Sequence, residues 1–185
     1  MKQRAGTFAP EGYPLGVTTV DLQRLRLWPG EERELRLDVD LQPFVLGGLR
    51  YEASPERVPV ELDASRAGGT GIFRLGFRMR LSGPCMRCLG HAELDVEVAA
   101  REIHDEDAPS GDDLRSDYVH EGVLDVGTWA RDAVALELPD QILCRPDCAG
   151  LCDECGKNLN DEPHTHEEEH GDPRWAALEA LRDDS

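Results

Sequence analysis

The sequence is poor in aromatic residues and contains no long hydrophobic run. Only 5% of its 185 residues are aromatic and 39% are hydrophobic, so we expect a modest core in one domain, or in one domain with an appendage. No stretch of about 18 apolar residues exists, which argues against a membrane-spanning helix and a membrane partner. The first residues carry Lys2 and Arg4 without the apolar stretch of a signal peptide. A cytoplasmic location is therefore expected.

Common catalytic motifs are also missing. The chain has no P-loop, no G-x-G-x-x-G fingerprint and no recognisable Ser/His/Asp arrangement. We therefore expect a protein that is not an enzyme and has no small-molecule substrate.

Positive charge is scarce, and the deficit lies in the second half of the chain. The net charge is -18; residues 1–90 contain 13 Lys and Arg against 11 Asp and Glu, whereas residues 91–185 contain 7 against 27. These counts give +2 and -20. An acidic surface repels phosphate, so the second half suits a basic partner better than nucleic acid. The ordinary alternative is a solvated acidic face.

Six cysteines and two histidines form the most distinctive pattern. Four cysteines fall within residues 144–155, Cys85 and Cys88 form an earlier C-x-x-C pair, and His164 and His166 follow the cluster. Thiolate and imidazole together suit tetrahedral zinc, and cysteines stay reduced in the cytoplasm. The sequence thus predicts bound metal rather than disulfide bonds.

Eight candidate ligands suffice for two zinc sites of four ligands each. The first predicted site joins a hairpin to the segment after a helix and contains Cys85, Cys88, Cys144 and Cys148. The second is local and contains Cys152, Cys155, His164 and His166, with His170 as a spare ligand. Closed sites of this kind are structural, and one zinc ion instead of two is expected if the histidines do not bind. Alternatively, the four cysteines of residues 144–155 bind one ion and leave Cys85 and Cys88 for redox chemistry.

Alternating polar and apolar residues indicate a β-rich α+β fold. The clearest strand spans residues 72–81, the first cysteine pair follows in a turn, and a helix is predicted from Asp125 or Thr128 to Leu138. Because long helices do not separate the strands, we expect an antiparallel sheet or a small open barrel, with a helix, a zinc-knuckle segment and a C-terminal helix starting at Asp172-Pro173.

The predicted organisation has three parts. Residues 1–16 are expected to form a flexible arm, residues 17–140 a β-rich body ending in a helix, and residues 141–185 a metal-binding segment with a terminal helix. Within the body, we expect a strand in residues 17–28, irregular structure in residues 41–51 and a mobile loop in residues 104–117.

Arginines alternate along the clearest strand. Arg74, Arg78 and Arg80 share its polar face, and Arg87 lies at the following turn. Such side chains can pair with RNA phosphates and stack on bases. The alternative is a solvated face paired with acidic residues on neighbouring strands.

Several motifs occur together along the chain. They are the C-x-R-C-L at 85–89, the helix ending in Leu138-Pro139, the block from Cys144 to Asn160, and Asp172-Pro173-Arg174-Trp175 before a terminal helix. In this combination the chain resembles the YceD family, the large ribosomal RNA subunit accumulation proteins. The resemblance implies a β-rich cytoplasmic protein required for accumulation of large-subunit ribosomal RNA. It also implies a gene that commonly lies beside that of a zinc-ribbon ribosomal protein.

One departure from the family pattern concerns the second predicted site. Many relatives carry Cys-x-Cys where this chain has His164-Thr165-His166, and some relatives lack that site altogether. Histidine can replace cysteine as a zinc ligand. The family supplies no established catalytic mechanism.

Two function hypotheses follow. The first is a non-enzymatic factor for large ribosomal subunit biogenesis, which binds large-subunit ribosomal RNA or a basic large-subunit ribosomal protein. The second is a thiol redox protein that uses Cys85 and Cys88. A redox C-x-x-C normally opens a helix, whose N-terminus lowers the thiol pKa, whereas this pair is predicted between strands.

Overall fold

The computed structural model describes residues 18–109 and 111–166. The predicted N-terminal arm and the predicted helix beginning at Asp172 lie outside these residues, as does His170. The division between a body and a segment beginning at residue 141 stays a prediction.

The described chain is mainly strand, with one short helix near its start and one longer helix late in the body. In order, the elements are β1 (Thr19–Asp21), α1 (Leu22–Leu25), β2 (Glu32–Asp40), β3 (Phe44–Leu46), β4 (Leu49–Ser54), β5 (Arg57–Ala67), β6 (Thr70–Pro84), β7 (His91–Asp105), β8 (Val119–His120), β9 (Val123–Asp125) and α2 (Val126–Leu136). Neither described helix has the length and apolar composition needed to cross a membrane.

Strand β6 is the centre of a six-stranded sheet whose pairings are all antiparallel. It pairs with β7 along its full length, from Thr70 opposite Asp105 to Pro84 opposite His91. Along its other edge it pairs first with β5 and then with β4. Strands β1, β9 and β8 form a separate three-stranded antiparallel sheet. The expected antiparallel, β-rich architecture is therefore confirmed, and the alternative of a small open barrel stays a prediction.

The core lies on the apolar face of β6, as the alternation predicts. Its buried side chains are Phe73, Leu75, Phe77, Met79 and Leu81. Neighbouring strands add Val58, Val60, Leu62, Val96 and Val98 to the same cluster. Helix α2 contributes buried residues that include Trp129 and Val134. This arrangement leaves the polar face of β6 in solvent. Burial of the other face holds β6 in the sheet up to the turn that leads into β7.

The predicted helix is confirmed with slightly different bounds. Asp125 is its N-cap, and its carboxylate accepts a hydrogen bond of 2.9 Å from the Thr128 N–H. The helix ends at Leu136, shortly before Pro139. The chain then leads directly into the cysteine-rich segment.

Three local predictions need correction. A strand was predicted in residues 17–28, but the described residues from 18 onward form the short strand β1 followed by α1, which is capped by Asp21. The segment predicted as irregular in residues 41–51 contains the hairpin β3–β4, whose turn residues Gly47 and Gly48 both have positive φ. The loop predicted to start at residue 104 starts later, because β7 continues to Asp105.

Candidate metal centre

The first cysteine pair lies in the turn between β6 and β7, as predicted. The turn is closed by the Cys85 N–H, which donates to the Gly90 carbonyl at 2.6 Å, and by the Leu89 N–H, which donates to the Cys85 carbonyl at 3.0 Å. At its base the Tyr51 hydroxyl donates to the Pro84 carbonyl at 2.8 Å. The long β6–β7 pairing therefore positions Cys85 and Cys88 at a well-anchored tip.

The segment after α2 is fastened to this tip. The Met86 N–H donates to the Ile142 carbonyl at 2.9 Å, and the Ile142 side chain is only 1% exposed. The Arg87 guanidinium donates to the Cys148 carbonyl and to the Gln141 side chain, each at 3.1 Å. These contacts bring the later cysteines to the hairpin.

Four sulfurs meet at this junction, and we call this group the first cluster: Cys85, Cys88, Cys144 and Cys148. All four Sγ atoms lie within 4.8 Å of one another. The Cys85–Cys148 distance is 3.8 Å and the Cys88–Cys144 distance is 3.7 Å. A tetrahedral zinc ion with Zn–S bonds of about 2.3 Å separates its sulfurs by about 3.8 Å. The donor set and its spacing therefore fit a zinc ion.

Electrostatics in the first cluster favour a cation. Burial raises the pKa of Cys85, but backbone N–H groups of Cys88, Arg87 and Cys144 oppose burial and lower the pKa to about 6. At Cys144, desolvation and hydrogen bonds with neighbouring sulfurs raise the pKa to about 12. Four sulfurs in contact cannot all ionise without a compensating positive charge. A metal ion would supply that charge and hold all four as thiolates.

A second group of potential ligands lies further along the chain, and we call it the second cluster: Cys152, Cys155, His164 and His166. Their ligand atoms also lie within 4.8 Å of one another. Cys152 is buried, His164 is half-buried, and the other two residues are exposed. The Cys155 Sγ and the His164 Nε2 are 3.1 Å apart. This cluster is thus local and more open to solvent than the first.

Both histidines of the second cluster have a partner for the nitrogen that would face away from a metal. The Nδ1 of His164 is 2.7 Å from the Glu162 carbonyl oxygen, so Nδ1 carries the proton and Nε2 is free to bind metal. The Nδ1 of His166 is 3.3 Å from a carboxylate oxygen of Glu154. Zinc-binding histidines usually have such outer hydrogen-bond partners.

The turn at Cys152 favours a thiolate. Backbone N–H groups of Cys155 and Glu154 oppose desolvation and lower the pKa of Cys152 to about 6, with help from the Cys155 and His164 side chains. Gly156, with a φ of 71°, closes the turn by donating its N–H to the Cys152 carbonyl at 2.9 Å. This left-handed position explains the glycine directly after the pair.

Asn160 is a site residue that the spacing of cysteines and histidines does not reveal. Its amide nitrogen lies 3.4 Å from the Cys148 Sγ. Its amide oxygen accepts from Arg145 at 2.7 Å and from the Ala149 N–H at 2.8 Å. Asn160 lies in the loop between the cysteines and histidines of the second cluster, so it connects that loop to the first cluster. The sequence feature that could have pointed to Asn160 is the Asn-Leu-Asn motif at 158–160, one of the motifs shared with the YceD family.

The arginines of β6 are paired with carboxylates. Arg74 lies 3.6 Å from Glu32, and Arg78 lies 2.6 Å from Glu97. Arg80 lies 2.7 Å from Asp95 and 3.1 Å from Glu93. Phosphate would have to displace these carboxylates, so the geometry favours the solvated-face interpretation for these three side chains. Arg87 is separate from them and ties the hairpin to the Cys148 segment.

The two clusters coincide with the two predicted sets of four, and metal binding by either set stays a prediction. The alternative site from the four cysteines of residues 144–155 is not the arrangement found. Cys144 and Cys148 lie in the first cluster, whereas Cys152 and Cys155 lie in the second.

Comparisons with known proteins agree with the resemblance read from the motifs. The family model described as "Large ribosomal RNA subunit accumulation protein YceD" matches residues 73–182. An uncharacterized protein of Mycobacterium tuberculosis is 36% identical over 166 residues, which cover 86% of this chain and 79% of that protein. The uncharacterized protein YlbN of Bacillus subtilis is 28% identical over 132 residues, which cover 69% of this chain and 74% of that protein. No solved structure matches the chain. The family match covers the hairpin and both clusters, and we conclude that the chain belongs to the YceD family.

Proposed function

We propose that this protein is a non-enzymatic factor for large ribosomal subunit biogenesis that supports accumulation of large-subunit ribosomal RNA. Membership of the YceD family is the observation that carries this proposal. The cytoplasm is the proposed location, since large subunits are assembled there in bacteria such as those that hold the relatives.

The proposed mechanism is binding of a basic large-subunit ribosomal protein to an acidic surface. The segment from Asp105 to Asp117, which we call the acidic loop, contains six carboxylates and one arginine. Exposed carboxylates that include Glu106, Asp107 and Asp113 have no salt-bridge partner within the described part of the chain. These charges are therefore available to a cationic partner.

Two hydrogen bonds join described residues near the two ends of the acidic loop. The Asp105 N–H donates to the Leu114 carbonyl at 2.8 Å, and the Arg115 guanidinium donates to the Ala108 carbonyl at 3.0 Å. The one arginine of the loop thus closes it. These contacts among the described residues of the loop would lower the entropic cost of presenting its carboxylates to a partner.

The arginine pairs on β6 favour this protein-binding mechanism over direct RNA binding by the same face. Arg78 and Arg80 are already neutralised by carboxylates of β7, and the second half of the chain carries -20. Free basic ribosomal proteins bind RNA promiscuously through charge. An acidic holder would keep such a protein soluble and release it to the denser negative charge of the assembling particle.

Zinc is the metal we propose for both clusters, in structural roles. A zinc ion held by four cysteines in the first cluster would join the β6–β7 hairpin to the segment after α2. A second ion, held by two cysteines and two histidines, would close the loop after Gly156. Four protein ligands at each ion leave no position for a reactive water.

The alternative function, a thiol redox protein using Cys85 and Cys88, has less support. The pair lies at a hairpin tip and not at a helix N-terminus, the position that usually activates a redox thiol. A stoichiometric, tightly held zinc ion at the first cluster in protein purified without added metal would contradict the redox function.

The protein-binding mechanism can be tested by capture from cells. The tagged protein should retain a basic large-subunit ribosomal protein at low salt and lose it as salt rises. Glu106→Gln with Asp113→Asn should reduce this capture. The matched control is Glu56→Gln with Asp140→Asn, which also removes two exposed charges but lies outside the acidic loop. Equal capture by both variants would contradict the mechanism.

A further inference from the structure

An exposed tryptophan beside two arginines marks a second surface, far in sequence from the acidic half. Trp28 is 70% exposed and is the only aromatic residue among the exposed large hydrophobics of the described chain. It lines an open groove of about 560 Å³ together with Arg26 and Arg66. The remaining lining residues are Leu27, Pro29 and Gly68, so the groove contains no carboxylate-bearing residue.

The two arginines differ from those of the β6 face. Within the described residues, neither Arg26 nor Arg66 has a carboxylate at salt-bridge distance. Arg66 donates to the Gly68 carbonyl at 3.3 Å, a neutral acceptor that does not compensate the guanidinium charge. Positive charge is therefore uncompensated here, on a protein whose net charge is -18.

The tryptophan is held by backbone hydrogen bonds that also fix its position relative to Arg66. The Trp28 carbonyl accepts from the Glu31 N–H at 2.9 Å, and the Gly30 N–H donates to the Arg66 carbonyl at 2.8 Å. The Glu31 carboxylate accepts from the Trp28 N–H at 3.1 Å and lies 3.9 Å from Arg33. The Glu31 carboxylate thus contacts the Trp28 backbone and Arg33 rather than the groove arginines, and the Trp28 indole ring is exposed to solvent.

The conformation of Arg26 ends α1 and directs the chain to Trp28. Arg26 is the C-cap of α1, in the left-handed region with φ 46° and ψ 52°. This is a common way for a helix to end, and the Arg26 N–H donates to the Gln23 carbonyl at 3.3 Å. The cap therefore places Arg26 and Trp28 close together on one side of the groove.

We propose that this groove binds an unpaired nucleotide of single-stranded RNA. A flat, exposed indole provides a face on which a base stacks, and two guanidinium groups without carboxylate partners provide sites for the adjoining phosphates. Uncompensated positive charge selects an anionic occupant over a neutral apolar peptide. The base must be unpaired, since a base inside a duplex cannot stack on a side chain. This inference does not depend on the ribosomal-protein mechanism proposed above.

Fluorescence anisotropy with a labelled oligouridine RNA of about ten nucleotides tests the proposal on the full chain. Trp28→Ala should weaken binding about tenfold, whereas Trp28→Phe should retain much of it, because a phenyl ring still stacks. Arg26→Gln with Arg66→Gln should reduce the salt slope by about 1.4, at about 0.7 for each phosphate contact. Arg74→Gln with Arg78→Gln is the matched control and should change little. Thermal unfolding of each variant verifies that the fold is intact.

Several outcomes of these measurements would overturn the proposal. Equal RNA affinity of Trp28→Ala and the unaltered protein would overturn the proposal. So would equal binding of an RNA duplex and the single strand, or complete competition by inorganic polyphosphate at the same charge concentration, because either shows that charge alone is recognised. Absence of binding to the single strand at low salt would also overturn it.

Discussion

The side-chain amide of Asn160 lies 3.4 Å from the sulfur of Cys148 and thereby joins the two cysteine clusters. Cys148 belongs to the first cluster, whereas Asn160 lies between Cys155 and His164 of the second. Amide N–H groups stabilise the negative charge of metal-bound sulfur and orient it. The loop of the second cluster thus supplies, through Asn160, a hydrogen-bond donor to a sulfur of the first cluster.

Replacement of Asn160 tests this coupling. Asn160→Ala removes the donor to Cys148 and leaves the Arg145 guanidinium and the Ala149 N–H without their acceptor. We expect zinc affinity at the first cluster to fall by about tenfold or more, the usual loss when an outer-shell partner is removed. Competition with a chelator of known affinity measures the change. Glu56→Gln, remote in sequence and exposed, should leave affinity unchanged, and an unaltered affinity in Asn160→Ala would disprove the coupling.

The two clusters should differ in their contribution to stability. Cys88→Ser removes a buried candidate ligand at the junction between the hairpin and the later segment, so we expect loss of one zinc ion and a marked drop in thermal stability. Cys155→Ser removes an exposed candidate ligand from a local loop, so the same loss of one ion should cost less stability. Native mass spectrometry gives the ion count and calorimetry the stability. Equal destabilisation by both variants would contradict the proposed difference in roles.

Charge removal on β6 should have little effect. Arg78 and Arg80 are exposed and paired with carboxylates of β7 that are also exposed, and pairs of this kind contribute little to folding. We expect Arg78→Gln with Arg80→Gln to leave the thermal unfolding midpoint and the affinity for single-stranded RNA nearly unchanged. Strong loss of RNA binding, with the fold intact, would instead assign RNA recognition to this face.

Acid should destabilise the protein partly through His104. Its side chain is buried, and no hydrogen-bond partner of its Nδ1 is found in the described residues. Burial lowers the pKa of His104 below 6.5, as do Arg115 and His120, while Glu106 and Asp105 oppose the shift. The unfolded state therefore takes up the proton first, and this contribution to stability is lost as pH falls through 6.5 towards the folded-state pKa.

Chemical denaturation at several pH values measures this effect. The unfolding free energy of the unaltered protein minus that of His104→Leu should increase as pH rises from about 5 to 7, because uptake of a proton by His104 on unfolding destabilises only the unaltered protein at low pH. A difference that is constant over this range would show that His104 does not titrate with folding.

Particular residues show what could be predicted from the sequence. The alternation from Phe73 to Leu81 was sufficient to place β6, because a strand with one buried face has a period of two. The grouping of the candidate ligands was also predictable, since they occur along the chain in four closely spaced pairs. The β3–β4 hairpin was missed because Pro43 and Gly47-Gly48 together were interpreted as irregular structure, although a pair of glycines is also a strong turn signal.

Other features depend on tertiary pairing. The partners of Arg78 and Arg80 follow from the β6–β7 register, in which Pro84 lies opposite His91. The sequence does not specify this register, so the partners could not be predicted. The role of Asn160 depends on a contact between two segments brought together by the Arg87 and Met86 hydrogen bonds. Sequence spacing carries no information about such contacts.

The ratio of mature large-subunit to small-subunit ribosomal RNA in a strain that lacks this protein tests the central claim most directly. We predict a lower ratio, restored by the unaltered gene and not by a variant carrying Cys88→Ser. A ratio equal to that of the parent strain, under conditions in which the protein is normally expressed, would contradict the proposed role in accumulation of large-subunit ribosomal RNA.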